Sequence, residues 1–178
     1  GISRFNPNNQ SFTSPLKDIE YKPKSANGAA VNRIAIDSQN NLWLATDNGV
    51  LWVNQQTNQH KIYQHNPQKA YGLADNAVNS VFVDDKDHVW IGTHTRLNHL
   101  DPKTGKVELF DYLPNEKMPS PPPQIPRNDF VAGKNVFDLH DTGDGRIFIG
   151  TDEGLNIFDP QTKTFANRFN DERIRRLP

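Results

Sequence analysis

Apolar and polar residues alternate along this chain in short bursts, and the bursts come in sets of four. Between Val78 and Phe110 the segment Val78–Val83 alternates and is β-branched, which predicts a strand. Asp84-Asp85-Lys86-Asp87 is a polar turn, and His88-Val89-Trp90-Ile91-Gly92-Thr93 a second strand with Trp90 as its large packing residue. After the turn His94-Thr95-Arg96, a third strand runs Leu97–Leu100. Asp101-Pro102-Lys103-Thr104-Gly105 is a strong turn signal, because proline fixes φ and glycine admits positive φ. A fourth strand follows at Val107–Phe110. No segment carries helical periodicity.

The same set occurs around it. Upstream, Ile34-Ala35-Ile36, Leu42-Trp43-Leu44, Val50–Val53 and the region of Lys61-Ile62-Tyr63 take the four places. Downstream, Val136–His140, Ile147-Phe148-Ile149 and Asn156-Ile157-Phe158 take the first three. The aromatic stands 12 positions after the opening valine in each set: Val31 to Trp43, Val78 to Trp90, Val136 to Phe148. Gly49, Arg96 and Gly154 each stand 18 positions after it. The chain opens on GISRFNPNNQSF, which matches only the second half of a unit, as in GLNIFDPQTKTF from Gly154 to Phe165. A fixed period of this size is the signature of a repeat architecture. A lone sheet of four short strands leaves an apolar face wet, whereas stacked sheets bury each other's faces.

Composition narrows what such a stack can do. The net charge is −1 and the isoelectric point about 6.6, so there is no basic surplus for a nucleic-acid backbone or an anionic membrane. The apolar runs are too short to span a bilayer. With no cysteine, disulfides and thiolate metal sites are excluded. The hydrophobic fraction of 34% and mean hydropathy of −0.78 fit half-exposed strands joined by polar turns, or a slice of a larger body. The chain starts in mid-repeat, so an export signal is expected upstream of Gly1.

The motif carried as LWLATDNGV, VWIGTHTRL and IFIGTDEGL, with Asn6-Pro7, Asp101-Pro102 and Asp159-Pro160 after the third strand, resembles the two-component regulator propeller repeat. The lead-in Gly72–Val78 is similar to that family's as well. The resemblance implies an all-β fold, a segment of a β-propeller with four-stranded antiparallel blades. It also implies the periplasmic sensor region of a bacterial inner-membrane signalling protein, with a histidine kinase or diguanylate cyclase as output lying outside this segment. The segment itself is expected not to be an enzyme. Its expected organisation is a partial blade and linker (1–30), a blade and linker (31–77), a blade with a proline-rich insertion at 114–126 (78–134), and a blade with the start of a linker (135–178). Leu177 sits where Leu73 sits, just before another opening valine would fall. Three and a half blades form no ring, since closed propellers have about four to eight. The expectation is therefore a fragment of a larger propeller, or self-association that completes or covers an open arc. Two departures stand out. Arg96 occupies the glycine place, where a positive φ would force the turn to rearrange, and Asn54-Gln55 replaces Asp-Pro.

In a propeller the turn between strands two and three shares a face with the blade-to-blade linkers, at the mouth of the channel. That places Asp47, Asn48, His94, Thr95, Arg96, Asp152 and Glu153 as candidate ligand-binding residues. Each is also readable as a solvated turn residue. Trp43, Trp90 and Phe148 are expected as inter-blade packing. The Asp-rich turns at 84–87 and 141–145 look like calcium loops but lack the spaced ligands of an EF-hand, and turn formation explains them. None of the six histidines falls in an H-x-x-x-H or H-E-x-x-H pattern, so no metal or cofactor is expected. The resemblance implies a polar small molecule or an oligosaccharide as the expected partner. The rival readings are a dimerisation scaffold without a small ligand, and a propeller lyase, for which His94 would be the catalytic candidate.

Overall fold

A computed structural model describes residues 2–14, 16, 30–68, 72–113 and 128–177. The strands form where the alternation predicts them. The first full sheet joins β3 (Val31–Ile36), β4 (Leu42–Thr46), β5 (Gly49–Val53) and β6 (His60–Tyr63) in that order. The second joins β7 (Val78–Val83), β8 (Val89–Thr93), β9 (Leu97–Asp101) and β10 (Lys106–Leu109), and the third β13 (Val136–Asp141), β14 (Ile147–Thr151), β15 (Gly154–Asp159) and β16 (Thr164–Asn167). All pairings within these sheets are antiparallel. The opening half-unit is a two-stranded hairpin of β1 (Arg4–Asn6) and β2 (Ser11–Thr13). Two elements escaped the sequence pattern. One is a short parallel pair, β11 (Tyr112–Leu113) with β12 (Val131–Ala132). The other is a single helical turn, α1 (Glu172–Arg175), capped by the Asp171 carboxylate accepting from the Arg173 amide. The proline-rich insertion lies outside the described residues.

The first strands of the sheets lie side by side, β3 against β7 and β7 against β13, as in blades fanned about an axis. Each seam between blades is an apolar core. Between the first and second sheets, Trp43 and Ala45 meet Val81, Val89 and Ile91. Between the second and third, Trp90 and Leu97 meet Leu139, Ile149, Phe158 and Phe165. Trp43 and Trp90 are almost fully buried and fill the two seams. Phe148 does not fill a seam: it is 38% exposed, because among the described residues no sheet lies against its face of the third blade.

The recurrent motif letters now have physical reasons. The aspartate that closes the first strand orients the tryptophan: Trp43 Nε1–H donates to Asp37 Oδ2, and Trp90 Nε1–H to Asp84 Oδ2, each at 3.0 Å. A buried indole N–H needs such an acceptor. In the second blade the small residue two positions after the aromatic lets the next blade approach. A Cβ built on Gly92 would stand 2.6 Å from Val136 Cγ1, across the seam. The threonine after it closes the next turn, with the Thr46, Thr93 and Thr151 hydroxyls donating to the carbonyls of Gly49, Arg96 and Gly154. Asparagines on the first strands stitch blade to blade. Asn32 Nδ2 donates to the Val78 carbonyl and Asn79 Nδ2 to the Val136 carbonyl. Phe137 stands in that place on the third blade and is exposed.

Candidate functional site

The linkers and the turns between second and third strands share one face, held by backbone bonds. Gly49 N–H donates to Asn76 O, His94 N–H to Ala77 O, and Asp152 N–H to Asn135 O. This layer brings the sequence-selected residues onto one surface, yet most of their polar atoms are internally used. Asp152 Oδ1 accepts from the Asn135 amide at 3.2 Å, and Glu153 is buried beside Arg168 at 3.5 Å. Arg96 pairs with Asp111 at 3.2 Å and lies over the Tyr112 ring. Asn48 receives the Gln64 side-chain amide on its own amide oxygen at 3.0 Å. The backbone amides of Thr95 and Arg96 are bound by Thr93 Oγ1. Asp47 differs, with a buried Oδ1 that has no hydrogen-bond partner. Thr95 and Arg96 edge a shallow cavity of about 440 Å3 with His65 and Asn66.

Arg96 does rearrange its turn. Gly49 and Gly154 sit at φ +99° and +97°, a region that favours glycine, while Arg96 is not among the positive-φ residues. The paired ladder in the second blade stops at Gly92–Leu97, one pair short of the Thr46–Gly49 and Thr151–Gly154 pairs of its neighbours.

A second site lies on the opposite face, in the cleft between the first two blades. It has a volume of about 330 Å3, and its walls include Trp52, Tyr63, Lys61, Asp37, Lys86 and Lys103. The aromatic wall is built by register. Trp43 pairs with Trp52 across β4 and β5, and Val50 with Tyr63 across β5 and β6, so the rings share one sheet face. Trp43 stacks on Tyr63 at 5.6 Å, and Lys61 Nζ lies 4.4 Å from the Tyr63 ring centre. The facing turns carry carboxylates held ionised. Asp87 is lowered below its ordinary pKa by bonds from the Ser38 hydroxyl and amide, and Asp101 by a bond from the Thr104 hydroxyl. The Asp87–Ser38 contact also clamps the first blade to the second, at 2.5 Å from Oγ to Oδ2. Aromatic faces flanked by ionic and amide groups suit a polyhydroxylated ligand, which offers C–H faces to rings and hydroxyls to polar rims. The sequence reading missed Trp52 and Tyr63. The signal available was that these two places carry rings in the second unit as well, as His99 and Phe110.

In the calcium-like loops the Oδ1 atoms of Asp84 and Asp141 are committed to their turns. Asp84 Oδ1 takes the amides of Lys86 and His88, and Asp141 Oδ1 takes that of Gly143. Asp144 pairs with Arg146 at 2.6 Å, and this guanidinium holds its carboxyl well below the usual range.

The profile of the two component regulator propeller matches residues 25–48 and 72–95, each segment ending in the turn after the second strand. No curated protein matches the chain. Among solved structures, the extracellular domain assigned to the hybrid two component system BT3049 of B. thetaiotaomicron aligns over 88% of this chain, with 22% identity and a TM-score of 0.62. PorZ, a surface component of the type-IX secretion system of Porphyromonas gingivalis, aligns over 91% with 15% identity and a TM-score of 0.61. Virginiamycin B lyase from Staphylococcus aureus aligns over 92% with 15% identity and a TM-score of 0.60. At these identities the likeness is one of fold. The chain spans 20%, 23% and 46% of those three chains. No helix among the described residues is long and apolar enough to cross a membrane.

Proposed function

From a chain that carries two-component regulator propeller repeats, we propose a non-catalytic, extracytoplasmic sensor segment of a bacterial transmembrane signalling protein, with an oligosaccharide or similar polar solute as its ligand. Its surroundings would be the periplasm, and its output a kinase or cyclase domain elsewhere in the polypeptide. The observation that carries the ligand class is the inter-blade cleft with its Trp52 and Tyr63 wall. A ligand there touches two blades at once, so it favours one blade arrangement over another, and that difference is what a sensor transmits.

Thermal-shift and calorimetric titration of this chain with a panel of neutral and acidic oligosaccharides tests the reading. At a hundredfold excess over Kd, binding stabilises by about 2.7 kcal/mol, a rise of several degrees in Tm. Trp52→Ala and Tyr63→Ala are expected to abolish the shift. A shift removed instead by Asp47→Ala, His94→Ala, Arg96→Ala or Asp152→Ala moves the ligand to the linker face. That second reading is favoured by the unpartnered Asp47 Oδ1. No shift with any sugar overturns the ligand and leaves a scaffold. The scaffold reading rests on exposed Phe137 and Phe148 at one end of the blade stack and exposed Ile34 and Ile36 at the other. Light scattering distinguishes it, since self-association across those faces gives dimers or larger species.

A further inference from the structure

Among the described residues, one cluster of ligating side chains meets the inter-blade cleft only at His88, which stands in its wall. Asp84, His88 and His99 each offer a donor atom, and these atoms lie within 4.8 Å of one another. Asp84 stands in the turn before β8, His88 directly precedes β8, and His99 lies in the middle of β9. Their neighbourhood is set by strand register, because Trp90 pairs with His99 across β8 and β9, and His99 with Glu108 across β9 and β10.

Four features resemble a prepared coordination site more than a chance encounter. His99 Nε2 is buried and has no hydrogen-bond partner. The other ring nitrogen of His99, Nδ1, lies 3.8 Å from Glu108 Oε2. A carboxylate on that side of the ring orients a ligating imidazole once the pair closes to hydrogen-bond distance. The His99 ring is clamped flat against Trp90, with ring centres 4.2 Å apart. Asp84 is fixed as well. Its Oδ1 takes two backbone amides, and its Oδ2, 3.8 Å from His88 Nδ1, takes the Trp90 indole N–H yet keeps a free lone pair.

The repeat supplies an internal control. The equivalents of Asp84, His88 and His99 are Asp37, Asn41 and Trp52 in the first blade, and Thr142, Arg146 and Ile157 in the third. The blade scaffold therefore needs neither histidine. Packing of the third strand is served by tryptophan or isoleucine at the same place, and both histidines occur together only in the second blade.

We propose that Asp84, His88 and His99 bind a borderline divalent cation of the zinc type. Two imidazoles and one carboxylate match that preference. A tetrahedral ion with bonds of about 2.0–2.1 Å sets its donors about 3.3 Å apart, so small side-chain rotations close the site. His88 lies on the solvent side, which leaves a fourth position for water or a ligand. The bound ion ties the turn before β8 to β9, at the edge of the seam that Trp90 fills.

Competition of this chain against a chromophoric chelator for Zn2+ tests the proposal. One ion per chain is expected, with Mg2+ and Ca2+ failing to compete. His88→Gln and His99→Gln should each weaken binding at least tenfold, and the double variant more than a hundredfold. His60→Gln and His140→Gln should leave it unchanged. Cu2+ or Ni2+, bound within van der Waals reach of the Trp90 stack, should quench part of the tryptophan fluorescence in the wild type and not in the double variant. Circular dichroism identifies any variant that misfolds, and His88→Gln, on the more exposed of the two histidines, keeps the test open if His99→Gln does. Wild-type binding no tighter than that of the double variant overturns the proposal. So does binding that survives His88→Gln unweakened.

Discussion

Trp90 and Phe148 occupy the same place in the same motif, on second strands of the same length, and have opposite fates. Trp90 is 2% exposed, packed on His99, Phe110 and Phe158; Phe148 is 38% exposed. The opening hairpin repeats the contrast. Phe5 and Phe12 are 51% and 71% exposed, while their equivalents Phe158 and Phe165 are each 2% exposed. A repeat dictates which residue type stands at a position. Whether that residue is buried depends on the neighbouring sheet. Stability in such stacks is then a property of seams more than of blades.

Truncating the two rings should separate them most widely. Trp90→Ala removes the filler of a seam and an indole bond to Asp84, and should cost about 3–5 kcal/mol in urea unfolding. Phe148→Ala should cost about 1 kcal/mol or less, as an exposed change. Equal costs would mean that the seams do not carry the stability. The glycine place two positions after the aromatic gives a milder version of the same pair. Gly92→Ala drives a methyl to 2.6 Å from Val136 Cγ1 and 2.3 Å from Ser80 Oγ, whereas at Gly150 the nearest atom is 3.9 Å away. The first should destabilise by about 1–3 kcal/mol and the second should be near neutral. Val136→Ala in the Gly92→Ala background should recover part of the loss. The polar stitch between blades matters least. Asn79→Ala deletes the donor to the Val136 carbonyl and should cost about 1 kcal/mol. Phe137→Ala, at the equivalent place, should stay within about 0.5 kcal/mol.

Much of the fold was legible because strand and turn signals are local. Every strand of the three full sheets and the opening hairpin forms within one unit, from residues a few positions apart. Turn chemistry was readable for the same reason, down to the rearrangement forced by Arg96. The pair β11–β12 was not legible: it joins residues separated by the insertion, with no alternation long enough to announce it. The linker-face residues could be placed on one surface from connectivity alone, but their internal pairing could not. Arg96 meets Asp111 and Glu153 meets Arg168 only because of how the chain returns.

Alternation and the hydrophobic effect were enough to set the period, the strands and the rule that each sheet must be covered on an apolar face. Which faces are in fact covered, and which side chains from different strands converge, emerged only when the blades packed. His88 and His99 are 11 positions apart, a spacing with no meaning until β8 and β9 pair in one register; Arg33 and Asp138, 105 apart, meet at 3.2 Å only because blades one and three bend toward each other. Strand periodicity fixes the face a side chain takes, whereas the distance between side chains depends on pairing and stacking, which no local pattern encodes.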